Sequence, residues 1–358
     1  MEQKHGGNIE RVAEQYNLLP ENIIDFSANI NFAGPPPDVY SKLKEELDAV
    51  TRYPEADSKS LKDQIAEKYG LKKENYIIGN GAVELIYILV KVFNPEQSIV
   101  LAPTFSEYEK ALHTVDSLIN YHYLKKENKF KLKIEELKKD LTEEIDLFFL
   151  CNPNNPTGNF ISKETVKQIL KHNENHNIFT VLDEAFVDFL DRNISALSLL
   201  KEYDNLFIIR SLTKFFAIPG LRLGFGIGKQ RLIDKMNGYK DPWNVNILAQ
   251  KAGETILNQD EYIKLTKKTI CKEKLFLYNE LKKFKNVEIY YPNANYIFID
   301  LEDSEYTSAK IYEKLAEQGI LIRNCSNYEG LDENYVRIAV KSREDNKKLL
   351  DKLKAFLL

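Results

Sequence analysis

Cysteine is scarce in this chain: Cys151, Cys271 and Cys325 lie far apart, with no metal-ligand spacing. That argues against a zinc site and for a reducing compartment. Long apolar runs are missing as well, and none approaches the ~20 residues that a membrane-spanning helix needs. The opening Met1-Glu2-Gln3-Lys4-His5-Gly6-Gly7 is polar and holds no apolar signal core. A cytoplasmic location is therefore expected. The net charge is only −4, with both signs interspersed, so there is no basic stripe for nucleic acid. The lysine-rich stretch 264–274 reads as a solvated helix face. Internal repeats and low-complexity linkers are absent.

What is present is a chain of 358 residues, 43% of them hydrophobic, enough for one large domain and a smaller one. Short apolar segments at 76–78, 98–101, 146–150, 179–182, 206–209 and 223–227 alternate with amphipathic helical stretches such as 82–93 and 163–173. Several of these segments are apolar on both faces, as in parallel strands covered by helices. An α/β fold with a largely parallel sheet is expected. After about residue 246 the texture changes to long charged helices and then to strands at 287–291, 296–301, 320–323 and 335–339. The expected division is a large domain over 46–250 and a smaller α+β domain built from 1–45 and 251–358.

Ser211-Leu212-Thr213-Lys214, followed by Arg222 in Gly220-Leu221-Arg222-Leu223-Gly224, suits a ligand that is both an aldehyde and a phosphate ester. A desolvated lysine amine forms Schiff bases, while hydroxyls and a guanidinium fork bind phosphate oxygens. Pyridoxal phosphate is the common molecule of that kind. Gly79-Asn80-Gly81-Ala82-Val83-Glu84 follows a strand and opens a helix, where backbone amides can meet an anion. Phe105 follows another strand and could stack on an aromatic ring or simply fill the core. Cys151-Asn152-Pro153-Asn154-Asn155-Pro156-Thr157-Gly158 is a rigid turn that can fix the Asn155 amide. Asp183 and Glu184 end a buried strand, so each must find a cation or hydrogen-bond donors. A metal is the rival partner, but no histidine or further acid lies nearby in sequence to complete a site.

In order and spacing these elements resemble the fold-type I, aspartate-aminotransferase-like pyridoxal phosphate enzymes over essentially the whole chain. The resemblance implies Lys214 as the Schiff-base lysine, Asp183 beside the pyridine nitrogen, Asn155 at the 3-hydroxyl and Phe105 on the ring. Gly81, the amides of Ala82 and Val83, Ser211, Thr213 and Arg222 would hold the phosphate. Tyr53, in Arg52-Tyr53-Pro54, would reach the phosphate of a neighbouring subunit, which implies a homodimer. Arg337, in Tyr335-Val336-Arg337-Ile338, would grip the substrate α-carboxylate, with Asn155 holding it as well. One departure is Phe186, where the family usually has a tyrosine donating to the 3-hydroxyl.

Within the family, two groups are similar: histidinol-phosphate aminotransferases and L-threonine-O-3-phosphate decarboxylases of the cobalamin pathway. His5-Gly6-Gly7-Asn8, Asp25-Phe26-Ser27-Ala28-Asn29-Ile30-Asn31 and Leu321-Ile322-Arg323-Asn324-Cys325-Ser326 look like the second group, as does the stretch around Phe186. Phe32-Ala33 departs from its usual Pro-Leu. That resemblance implies a second anion site made by His5, the Gly6 amide, Asn29 and Arg323. A decarboxylase acting on serine phosphate is a further alternative, as is a non-catalytic sensor built on the same fold.

Overall fold

The computed structural model describes residues 6–357. His5 lies outside the described residues. Seven strands form the large sheet: β2 (Tyr76–Asn80), β3 (Gln97–Ala102), β4 (Leu118–Tyr123), β5 (Leu147–Cys151), β6 (Phe179–Asp183), β7 (Leu206–Ser211) and β8 (Leu223–Ile227). Their order is β2-β8-β7-β6-β5-β3-β4. All neighbours run parallel except β8, which is antiparallel to both β2 and β7. The fold is α/β with a mostly parallel sheet flanked by helices.

Side chains along these strands alternate between two apolar layers. Ile78, Leu150, Leu182 and Ile208 face one layer, and Ile77, Phe149, Val181 and Ile209 face the other. Burial on both faces explains why the strands read as continuous apolar runs. β4 was not expected from the sequence, because Leu-Ile-Asn-Tyr-His-Tyr is only half-buried at the sheet edge.

A second, antiparallel sheet joins β9 (Glu288–Ile289), β10 (Tyr296–Asp300), β12 (Arg323–Asn324) and β13 (Tyr335–Ala339). Near the N-terminus β1 (Ile24–Asp25) pairs in parallel with β11 (Ile320–Leu321). Phe26 packs in the same apolar cluster as Leu277, Ile297, Ile338 and Leu349. The N-terminal segment is thus built into the C-terminal lobe, and it continues to the large sheet, where the Asn31 amide donates to Lys214 O (3.0 Å). No helix among the described residues is long and apolar enough to cross a membrane.

β3, β5, β6 and β7 end side by side, and their carboxyl ends feed the turns that carry the candidate residues. Ligands of open α/β sheets bind at that edge.

Candidate active site

Asp183 is the last residue of β6 and lies opposite Cys151 of β5. Its buried carboxylate accepts from Tyr108 Oη (2.7 Å) and from the Ala185 amide (2.8 Å). Burial raises its pKa, and the Tyr108 and Ala185 donors and the Lys214 charge offset only part of that rise. The adjacent acid is satisfied differently. Glu184 accepts from Arg210 (3.1 Å), Ser195 Oγ (2.7 Å) and the Ala196 amide (2.8 Å). Asp183 forms no ion pair among the described residues, so it is the acid left facing the site without a cation.

Lys214 follows β7, and its Nζ donates to Ser211 Oγ at 3.3 Å. Desolvation lowers its pKa; Asp183 opposes the shift and Arg222 adds to it. A less basic amine is the nucleophile that Schiff-base chemistry needs.

Around this lysine the anion-binding candidates gather. Ser211 Oγ and Thr213 Oγ1 are 2.9 Å apart, both buried. Ser211 pairs with Gly224 across β7 and β8, and Gly224 pairs with Gly79 of β2. A Cβ at Gly224 would come within 2.6 Å of the Ala82 amide nitrogen, so only glycine lets the helix Ala82–Phe93 start directly on the strand. Gly81, at φ +82°, would push a Cβ to 2.6 Å from Arg222 Nη2. Helix-start amides lack intrahelical acceptors. Two hydroxyls, a guanidinium and those amides therefore converge from three strands and one helix start.

On the other side of the lysine, Asn155 Oδ1 accepts from Arg337 Nη1 and, at 3.4 Å, from Tyr328 Oη. Arg337 Nη2 donates to Ser27 O (2.6 Å), and its Nε is buried with no partner among the described residues. Arg323 pairs with Arg337 across β12 and β13. Directly opposed residues of an antiparallel ladder point to the same face, and these are 2% and 5% exposed. Arg323 Nη2 donates to Asn327 Oδ1 (2.7 Å), and its guanidinium lies over the Tyr328 ring. Asn29 Oδ1 is buried and without a partner among the described residues, and its carbonyl accepts from Asn295 Nδ2 (3.0 Å). Gly6 lies against Ser27, where a Cβ would meet Ser27 O at 2.4 Å.

Phe105 is half-buried and meets Tyr108 edge to face (5.6 Å), one step from Asp183. Tyr53 instead stacks on Trp243 (4.5 Å) and is 76% exposed. Phe186 is buried with its ring edge against Tyr296 (5.1 Å), whose hydroxyl donates to Asn154 O (2.7 Å).

Sequence reasoning missed Tyr108, Tyr328 and the Cys151 thiol. Tyr108 could have been found one helical turn after Phe105. Tyr328 sits in an irregular loop that carries no periodic signal. Burial, with the Asp183 charge, pushes the Cys151 thiol up to about 12, so it is a neutral group at neutral pH. A cavity of about 690 Å³ between the lobes is lined partly by Cys151, Asn152 and Asn154, but by none of Lys214, Asp183 or Arg337. No group of three or more His, Cys, Asp or Glu side chains is gathered for a metal among the described residues.

The site is suited to a planar aldehyde bearing a phosphate and a basic ring nitrogen. Gly81 lets the Arg222 guanidinium approach the helix start, Asp183 forms no ion pair, and the Asn155 amide nitrogen makes no hydrogen bond, among the described residues.

Residues 21–353 match the family described as aminotransferase class I and II. The chain is 34% identical over 354 residues to the threonine-phosphate decarboxylase of Salmonella typhimurium, covering 99% of this chain and 96% of that protein. It is also 34% identical over 352 residues to the histidinol-phosphate aminotransferase of Methanosphaera stadtmanae, covering 98% and 94%. The crystal structure of the histidinol-phosphate aminotransferase from Clostridium acetobutylicum superposes with a TM-score of 0.86 at 32% identity, covering 92% of this chain and 98% of that one.

Proposed function

The chain belongs to the aminotransferase class I and II family of pyridoxal-phosphate-dependent enzymes, and on that premise we propose that it decarboxylates L-threonine O-3-phosphate. The product is (R)-1-aminopropan-2-yl phosphate, used in building the nucleotide loop of cobalamin. The observation that carries this reading is the Arg323–Arg337 pair, two buried guanidiniums on one face of a ladder. Like charges opposite one another are unfavourable, and a substrate with two anionic ends relieves both.

In this reading Ser211, Thr213, Arg222, Gly81 and the amides of Ala82 and Val83 hold the cofactor phosphate. Asn155 serves the 3-hydroxyl, Asp183 the ring nitrogen, Phe105 the ring face and Lys214 the aldehyde. When bound, the cofactor supplies an electron sink for the charge that develops at the substrate Cα. Arg337 holds the α-carboxylate, and Arg323, Asn29, the Gly6 amide and His5 take the substrate phosphate. The bond from Cα to the carboxylate breaks, carbon dioxide leaves, and a proton from Lys214, or from a group near it, replaces it at Cα. Asp183, ionised beside a protonated ring nitrogen, gains the ion pair that it lacks among the described residues.

The exposed Leu47, Val50, Tyr53, Tyr239 and Trp243 support a homodimer in which Tyr53 serves the neighbouring site. The pairing of β1 with β11 supports assigning 1–45 and 251–358 to a small domain and 46–250 to a large one.

Histidinol-phosphate aminotransferase is the second reading, favoured by the Clostridium structure. The test is incubation with pyridoxal phosphate and L-threonine phosphate without an oxo acid, followed by mass spectrometry. Formation of 1-aminopropan-2-yl phosphate is expected. No amine product, with turnover of histidinol phosphate and 2-oxoglutarate, would establish the second reading. Serine phosphate is run as competitor, since one methyl group discriminates by only ~1–3 kcal/mol.

A further inference from the structure

Phe186 brings no hydroxyl to the site, so Asn155 is the side-chain donor left for the 3-oxygen of the cofactor on that side. A single amide does that work only if it cannot rotate. Its oxygen is held by Arg337 Nη1 and by Tyr328 Oη at 3.4 Å. A guanidinium can only donate, so the oxygen of the amide, and not the nitrogen, must face it. Both N–H groups of Asn155 are thereby turned away from the small lobe.

Tyr328 is itself held from two sides. Its ring carries the Arg323 guanidinium, 5.1 Å from the centroid, and its amide donates to Cys325 O (3.0 Å). On the large-lobe side, Tyr123 Oη donates to the neighbouring Glu329 (2.8 Å). Gly330, at φ +80°, lies so close to the end of β3 that a Cβ would sit 3.3 Å from the Ala102 carbonyl carbon. The loop is therefore pinned between the strand bearing Arg323 and the strand leading to Phe105. Its hydroxyl is buried with the rest of the side chain, which is 6% exposed. At 3.4 Å the contact is long for an O–H···O bond, and such bonds commonly close when a site fills.

We infer that Tyr328 is a positioning residue whose hydroxyl, together with Arg337, fixes the Asn155 amide with its N–H groups toward the 3-oxygen of the cofactor. The inference rests on the reading of this site as a pyridoxal phosphate site. It also gives the Phe186 departure a physical consequence, since one well-oriented donor then stands where two would otherwise share the oxygen.

The test compares wild type with Tyr328→Phe, a change of one oxygen atom. Both are loaded with pyridoxal phosphate, and the visible absorbance of the bound cofactor is titrated with pH. The Asn155 donor competes for the 3-oxygen with the proton that the cofactor shares with Lys214. A weaker, freer donor loosens that competition, so the titration midpoint of Tyr328→Phe should rise by roughly half a pH unit. The melting temperature of both proteins is read without cofactor as the control for folding. A midpoint that stays in place, whether or not the melting temperature falls, overturns the inference and leaves Tyr328 a packing residue. Failure of the wild type to develop any visible cofactor band is a different outcome: it overturns the cofactor reading, and this inference with it.

Discussion

Arg323 and Arg337 stand directly opposite each other on β12 and β13, both buried, and the aromatic ring of Tyr328 lies beneath the first of them. Arg337 also touches Asn155 and Ser27, whereas Arg323 turns to Asn327. The two cations are therefore separable by mutation. Arg323→Ala should raise KM for threonine phosphate by roughly 10–100-fold, the worth of a charge-assisted contact, and weaken cofactor binding far less. Arg337→Ala should damage both, because it frees Asn155 as well. Steady-state kinetics and absorbance on the two variants check this; an unchanged KM in Arg323→Ala removes that residue from the site.

Lys214→Ala should abolish turnover and the visible band of the bound cofactor together. The buried amine is the group expected to carry the cofactor aldehyde, and no second lysine among the described residues is bonded to Ser211. Spectra of the purified variant with and without added pyridoxal phosphate are the measurement. Normal activity there would end the cofactor assignment for this residue.

How much of this was legible beforehand differs from residue to residue. Asp183 ends a strand, Lys214 and Asn155 follow strands and Arg222 precedes one, all with obvious apolar runs, and a turn at the end of a buried strand confines where its side chains can go. The α/β alternation was readable for the same reason. The antiparallel direction of β8 was not, since apolar content carries no direction. β4 was hidden by its half-polar edge composition. Tyr328 acts on Asn155 across 173 positions of sequence, a relation that only tertiary packing creates. Cys151, opposite Asp183, is hidden because a thiol at the end of an apolar run looks like core.

The burial of the Asp183 carboxyl has a consequence for stability. Its folded-state pKa is raised above the ordinary 3.8, mainly by burial, so the folded protein without cofactor holds its proton longer than the unfolded chain does. Stability contributed by the neutral carboxyl is full below about pH 3.8 and is lost as pH rises through the folded value. Asp183→Asn cannot ionise. Without cofactor it should melt at a temperature equal to or above that of wild type at neutral pH, and the difference should shrink on acidification. Thermal melts across that range decide the sign. With pyridoxal phosphate the order should reverse, because the carboxylate then has its cation.

Gly224 tests the phosphate cradle by shape alone. A Cβ there would lie 2.6 Å from the Ala82 nitrogen and 3.0 Å from Arg210 O, both backbone atoms that cannot rotate away. Gly224→Ala should cost about 1–3 kcal/mol of stability, the usual range for overpacking. It should weaken cofactor retention as well, by lifting the helix start from the strand. Denaturant melts and cofactor dialysis measure the two effects; a variant as stable and as tightly loaded as wild type would mean that the helix start does not hold the phosphate.

The exposed stack of Tyr53 on Trp243 leads to a test of subunit exchange. If Tyr53 completes the site of a partner subunit, a site contains Lys214 from one chain and Tyr53 from the other. A Lys214→Ala homodimer then has no working site, and a Tyr53→Ala homodimer has two weakened ones. In a hybrid of the two variants, one site collects both substitutions and the other collects neither. Random exchange of equal amounts makes half of the dimers hybrids, so about a quarter of all sites are restored. Mixing, brief denaturation and refolding should therefore raise activity above the average of the separately refolded variants. No gain on mixing, with hybrids demonstrated by differential tagging, would place the Tyr53 ring in its own subunit or outside the site altogether. That outcome would leave Trp243 and its neighbours without a dimer to cover them, and the association state would then have to be measured independently of activity.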